Sequence, residues 1–151
     1  MSSNKESAGK QAPSGKKRRM VRLDGCSFTL KDLAAIAAGE ATLRLTRLAR
    51  QRIKAASRSV IRAAASAEPS YGINTGFGRF CRVQIEPAEV EKLQLNLIRS
   101  HATGIGAPLE AAQVRLALAL RANALARGNS GIHLEVIELL MAMLEKDLLP
   151  K

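Results

Sequence analysis

Two side chains in this chain stand in settings that suit chemistry. Tyr71, the single tyrosine, lies in Ser70-Tyr71-Gly72-Ile73-Asn74-Thr75-Gly76-Phe77-Gly78-Arg79-Phe80. A phenol keeps its proton to near pH 10 in water, so a tyrosine acting as a base at neutral pH needs positive charge or hydrogen bonds that favour the phenolate. Gly72, Gly76 and Gly78 give the segment the backbone freedom of a closing lid, and Asn74 and Thr75 offer hydrogen bonds. The same residues equally suit a packed ring with a wet hydroxyl. His101 follows Ser100 and precedes Ala102-Thr103-Gly104-Ile105-Gly106. Such a histidine either meets a ligand or satisfies the last carbonyls of a helix. His133 reads as structural or exposed, at a helix entry.

Other chemistries lack their residues. There is no GxxxxGKS/T, HExxH or CxxC, and no GxGxxG after a strand. The acidic pairs sit at helix starts, where capping accounts for them, and no Ser-His-Asp spacing supports a triad. Cys26 and Cys81 are too few for a disulfide framework and lack metal-ligand spacing. They read as reduced thiols of a cytoplasmic chain, and no metal is expected. Apolar runs are broken by charge, so none is a membrane span, and the first twenty residues carry no signal-peptide apolar stretch.

Charge is unevenly placed. The 151 residues hold 24 Lys+Arg against 13 Asp+Glu, a net +11. Lys5, Lys10, Lys16, Lys17, Arg18, Arg19 and Arg22 face only Glu6 at the start, and Ser, Gly and Pro fill much of the rest. Residues 1–19 are therefore expected to be a disordered basic tail, with residues 20–151 as the folded part. A second run, Arg44, Arg47, Arg50, Arg52, Lys54, Arg58 and Arg62, contains no acid. These cations suit nucleic acid, an anionic membrane surface or an acidic partner, and equally a solvated tail and a wet helix face. Aromatics are 3% with no tryptophan, which excludes a stacking platform for bases.

The elements that position the two candidates read as nearly all helix. An extended piece over Met20–Leu23 leads to a turn at Asp24-Gly25. Thr29-Leu30-Lys31-Asp32 fits a capping box, opening a two-turn helix that stops at Gly39. A longer helix is expected from about Thr42 to Ala67, with Leu45, Leu48, Ile53, Ala56, Val60 and Ala64 on its apolar side and Pro69 after it. The glycine-rich loop follows. Pro87 starts a helix that carries Val90, Leu93, Leu95, Leu97 and Ile98, and little polar face remains, so deep burial is expected. Pro108 opens the next helix, with Val114, Leu118, Ala122 and Leu125 on one stripe and Gly128 at its end. Val136, Ile137, Leu140, Met141 and Leu144 mark the last.

Three of these segments, in order, resemble one family. Tyr71–Gly78 resembles the tyrosine loop of the aromatic amino acid ammonia-lyases. The segment Leu93–Gly106 is similar to the family's next block, and Val114-Arg115 with Leu120–Gly131 to its third. The likeness covers about residues 20–150, and the Ser100-His101 pair resembles the histidine ammonia-lyase branch. The resemblance implies a mainly α fold: the N-terminal helical portion of the ammonia-lyase (fumarase/aspartase-like) architecture, with a glycine-rich lid loop. It implies a homotetramer that removes ammonia from L-histidine to give trans-urocanate.

Carried over, Tyr71 is the base for the β-proton, His101 touches the substrate side chain, and Gly78 lets the backbone approach the substrate. The family's electrophile, 4-methylidene-imidazol-5-one, forms from an internal Ala-Ser-Gly, which these residues do not contain. The expectation is an N-terminal fragment, inactive alone. The alternative is a basic helical binding module on a lyase scaffold that takes nucleic acid, through the basic tail, or a lyase subunit.

Overall fold

The computed structural model describes residues 18–80, 83 and 85–151. Residues 1–17 of the expected tail, and Cys81, lie outside the described residues. Arg19, at the end of that expected tail, is the first residue of β1, and Arg18 Nη1 donates to the Glu145 carbonyl at 3.0 Å.

Strand β1 (Arg19–Leu23) pairs in parallel with β2 (Ala41–Leu45), in register from Arg19 opposite Ala41 to Leu23 opposite Leu45. Parallel neighbours need a crossover, and helix α1 (Leu30–Ala37) supplies it. The expected capping box is present. Thr29 Oγ1 accepts from the Asp32 N–H at 3.2 Å, and Asp32 Oδ2 accepts from the Thr29 N–H at 3.0 Å. The other Asp32 oxygen accepts from Arg19 Nε at 2.7 Å, so the cap also ties α1 to β1. Gly39, with φ +73°, turns the chain out of α1.

Residues Ala41–Leu45 correct the expectation of a helix from Thr42. They alternate across a strand, with Leu43 buried and Arg44 exposed. Helix α2 is Arg47–Ala64, with Thr46 as its N-cap, Oγ1 accepting from the Ala49 N–H at 3.2 Å. Its phase follows from that later start. Ala49, Ile53 and Ser57 are buried, whereas Leu48 is 55% exposed, so the expected stripe through Leu45 and Leu48 does not form.

Helix α3 (Pro87–His101) begins at the proline, as expected, with Glu89 in its first turn. Deep burial is not observed. Leu95 is exposed, Ile98 is 65% exposed, and among the described residues no other element packs extensively against the helix. Apolar positions define which side of a helix can be covered, while burial needs a partner to cover it.

Helix α4 (Ala111–Ala126) begins three residues later than Pro108. Glu110 and Gln113 close a reciprocal cap there, with the Glu110 N–H donating to Gln113 Oε1 at 3.0 Å. Gly128 ends it with φ +78°. Helix α5 is Leu134–Glu145, with His133 as its exposed N-cap. The core joins Val21, Leu23 and Leu43 of the sheet to Ile36 of α1, Ala49 and Ile53 of α2, and Ile137 of α5. Ala119, Ala122 and Ala126 form the fully buried face of α4. Small side chains there let helix backbones approach closely, and α4 packs on α1, α2 and α5.

Candidate active site

The end of α2 holds the tyrosine loop by hydrogen bonds. Asn74 is buried and points its side chain back at the helix end. Its Nδ2 donates to the carbonyls of Ala63 at 3.3 Å, Ser66 at 3.0 Å and Glu68 at 2.9 Å. Its Oδ1 accepts from the Ser70 N–H at 2.6 Å. Two amide protons are thus shared among three carbonyls where α2 stops; that of Ala63 also accepts from the Ser66 N–H at 3.1 Å. Thr75 is buried too. Its Oγ1 accepts from the Gly72 N–H at 3.3 Å and lies 3.2 Å from the Gly76 carbonyl, to which it donates. On the far side the Gly76 N–H donates to the Val83 carbonyl at 3.1 Å, and the Ile85 N–H to the Asn74 carbonyl at 3.0 Å.

Tyr71 leaves this fixed base. Its ring is 66% exposed and meets Phe77 edge-on, with centroids 6.0 Å apart and planes at 82°. The ring is not sealed in the interior. Gly72 turns the chain at φ +70°, which favours glycine, and an added Cβ would sit 3.2 Å from Phe77 Cε1 and press on the ring. Gly78, with φ +58°, begins a single 3-10 turn (Gly78–Phe80) and has open space on the side where a Cβ would stand.

His101 is the last residue of α3 and is exposed. Its Nδ1 lies 2.9 Å from the Leu97 carbonyl and 3.0 Å from Ser100 Oγ. A carbonyl can only accept, so the contact with Leu97 calls for the tautomer in which Nδ1 donates, and Nε2 makes no hydrogen bond among the described residues. The helix-end contact therefore exists, and it leaves the outer nitrogen open to a ligand. Among the described residues no hydrogen bond or ring contact joins Tyr71, Gly78 and His101 to one another.

Two depressions lie elsewhere. One, of about 320 Å³, runs behind the loop along Ala64–Ala67, Asn74 and Ile85. The other, of about 70 Å³, lies between β2 and α5 beside Arg115. Neither includes Tyr71, Gly78 or His101. Sequence reasoning placed Asn74 and Thr75 only as donors within a supple lid, and missed them as buried anchors. No local signal marks Asn74, because it stands ten residues beyond Ala64 and its carbonyl partners lie six to eleven residues away.

The fold and this loop define the class first. The structure superposes on histidine ammonia-lyase from Trypanosoma cruzi with a TM-score of 0.76 and 40% identity, over 83% of this chain and 25% of that one. It superposes on tyrosine aminomutase from Streptomyces globisporus with a TM-score of 0.77 and 28% identity, over 84% and 24%. The matched region is the N-terminal part of ammonia-lyase structures. Residues 28–151 match the family described as aromatic amino acid lyase, and the chain belongs to that family. A histidine ammonia-lyase of Anaeromyxobacter dehalogenans (strain 2CP-C) is 46% identical over 128 residues, which are 85% of this chain and 25% of that protein. The chain thus spans about a quarter of the length of the relatives it matches.

Proposed function

We propose that this chain supplies the tyrosine-bearing part of a histidine ammonia-lyase, which converts L-histidine to trans-urocanate and ammonia. The observation that carries this reading is the loop's construction: an exposed phenol on a base that Asn74 ties to the end of α2 and Thr75 braces from within the loop. In the reaction a β C–H bond breaks and its electron pair becomes the new Cα=Cβ bond, while the α C–N bond breaks and ammonia leaves. The β-proton is a poor acid, so a positioned base lowers the barrier, the more so once the rest of the lyase shields the exposed ring from bulk water. Tyr71 is that base. Gly78, free of a side chain, lets backbone reach the substrate. His101 presents Nε2 as an acceptor toward the substrate imidazole N–H, and this favours histidine over a hydrocarbon ring.

The family's electrophile forms from Ala-Ser-Gly, and residues 1–151 contain no such tripeptide. These residues do not fit as its source. The reading therefore holds that the 151 residues do not deaminate histidine alone. A polypeptide carrying the remaining three quarters of the lyase completes the site, in a tetramer like that implied for the family.

The test is complementation. The purified chain is mixed with a chain carrying the missing portion, and urocanate is followed by its absorbance. Activity is expected only from the mixture, and Tyr71→Phe in the 151-residue chain should abolish it. Urocanate from this chain alone, or full activity with Tyr71→Phe, would overturn the reading.

A further inference from the structure

Helix α2 carries a surface that the lyase chemistry leaves unused. At 100° per residue, Arg47, Arg50, Lys54, Arg58 and Arg62 fall within roughly 120° of one another around the axis. They form one stripe about 22 Å long at 1.5 Å per residue. Arg52 lies off it, its Cβ against the turn at Gly128. The buried residues Ala49, Ile53 and Ser57 occupy another side of the helix, and Arg47, Lys54, Arg58 and Arg62 are exposed.

The stripe is short of counter-charge. Arg50 Nη1 meets Glu138 Oε1 at 2.6 Å. Among the described residues neither Arg47, Lys54, Arg58 nor Arg62 pairs with a carboxylate, and Arg62 Nη2 donates only to Ser59 Oγ at 3.0 Å. The arrangement also works against the helix itself. Arg47 stands at the positive end of the dipole, and no acid occupies the first turn. Lys54, Arg58 and Arg62 follow one another at i, i+4, a spacing at which like charges repel. Departures from local preference of this kind mark places where something beyond folding sets the residues.

We infer that this stripe binds the phosphate backbone of a nucleic-acid duplex, independently of sequence. Five cations over that length match a regular line of negative charge, which a duplex provides along its backbone. A single strand is the poorer fit, because binding it relies on aromatic side chains and α2 has none. A membrane surface is also the poorer fit, since an interfacial helix turns a broad apolar face to the lipid, whereas Ala49 and Ile53 of α2 face the core and its exposed large apolar side chains, Leu48 and Ile61, stand singly on different sides of the helix. The inference is independent of the lyase reading.

The experiment uses the full 151-residue chain and a fluorescein-labelled 20-base-pair DNA duplex of arbitrary sequence, with binding followed by anisotropy between 50 and 200 mM NaCl. Affinity should fall at least about 100-fold over that range, as four or more phosphate contacts require. The variant Arg47→Gln/Lys54→Gln/Arg58→Gln/Arg62→Gln should lower the log–log salt slope by about 3 to 4, and exchange of the three arginines for lysine should leave it unchanged. Glutamine keeps helix propensity. Should the fourfold variant lose helicity, Arg58→Gln and Arg62→Gln made singly should each lower the slope by about 1. An unchanged slope in either set overturns the inference. So does equal or tighter binding to single-stranded DNA, or to vesicles rich in phosphatidylserine.

Discussion

If Asn74 is what holds the tyrosine loop, its removal has a cost that the structure lets one work out. Asn74→Ala deletes contacts to three carbonyls and one N–H, at 3.3, 3.0, 2.9 and 2.6 Å. A net value of about 1 kcal/mol per hydrogen bond sets an upper figure of about 4 kcal/mol. Two factors reduce it. Three carbonyls share two protons, and Glu68 is exposed while Ser66 and Ser70 are only half-buried, so water reaches part of what is vacated. The expected loss is about 2–3 kcal/mol, read as a lower urea midpoint at unchanged slope. Hydrogen exchange should quicken at the amides of Ile73, Gly76 and Ile85, which the loop's backbone bonds protect.

Asn74→Asp separates geometry from charge. It keeps the acceptor for the Ser70 N–H and sets a carboxylate against three carbonyl oxygens. It should be at least as destabilising as alanine at pH 7, and milder near pH 3, where the acid is protonated and can donate once. An alanine variant within about 0.5 kcal/mol of the parent, typical of surface changes, would refute the reasoning. An aspartate variant as stable as the parent at pH 7 would do the same.

Two further outcomes follow from local geometry. At Gly128, with φ +78°, an added Cβ would stand 2.5 Å from Arg52 Cβ and 2.8 Å from its backbone carbon. Gly128→Ala should therefore cost about 2–4 kcal/mol, from left-handed strain together with overpacking, and lower the thermal midpoint. Asp32 is lowered from 3.8 to about 2, chiefly by the Thr29 hydroxyl and then by Arg19. Asp24 is lowered likewise to about 2 by the Cys26 N–H and by Ser27. A depressed carboxylate contributes stability above its unfolded value, and that contribution disappears as pH falls from about 4 to about 2. Urea midpoints at pH 5 and pH 2.5 should differ, and Asp32→Asn should narrow the difference.

Residues with purely local instructions could be read without coordinates. Thr29 and Asp32 close their box within one turn, Pro87 starts α3, and Gly39 and Gly128 stop helices by turning to positive φ, because each of these depends on neighbours a few residues away. The order and spacing of the Tyr71–Gly78, Leu93–Gly106 and Leu120–Gly131 segments likewise pointed to the family, since motif chemistry is written in sequence. Tertiary structure alone decided the remainder. Ala41–Leu45 is as compatible with a helix as with a strand until β1 offers its backbone in register, and that choice set the phase of α2 and exposed Leu48. The apolar count of α3 could not say whether anything covers Ile98. Asn74 became an anchor only because the end of α2 presents carbonyls within reach of one side chain. Strand pairing, burial and the filling of free backbone groups all depend on partners that are distant in the chain or brought near only by the fold, so local composition carries no record of them.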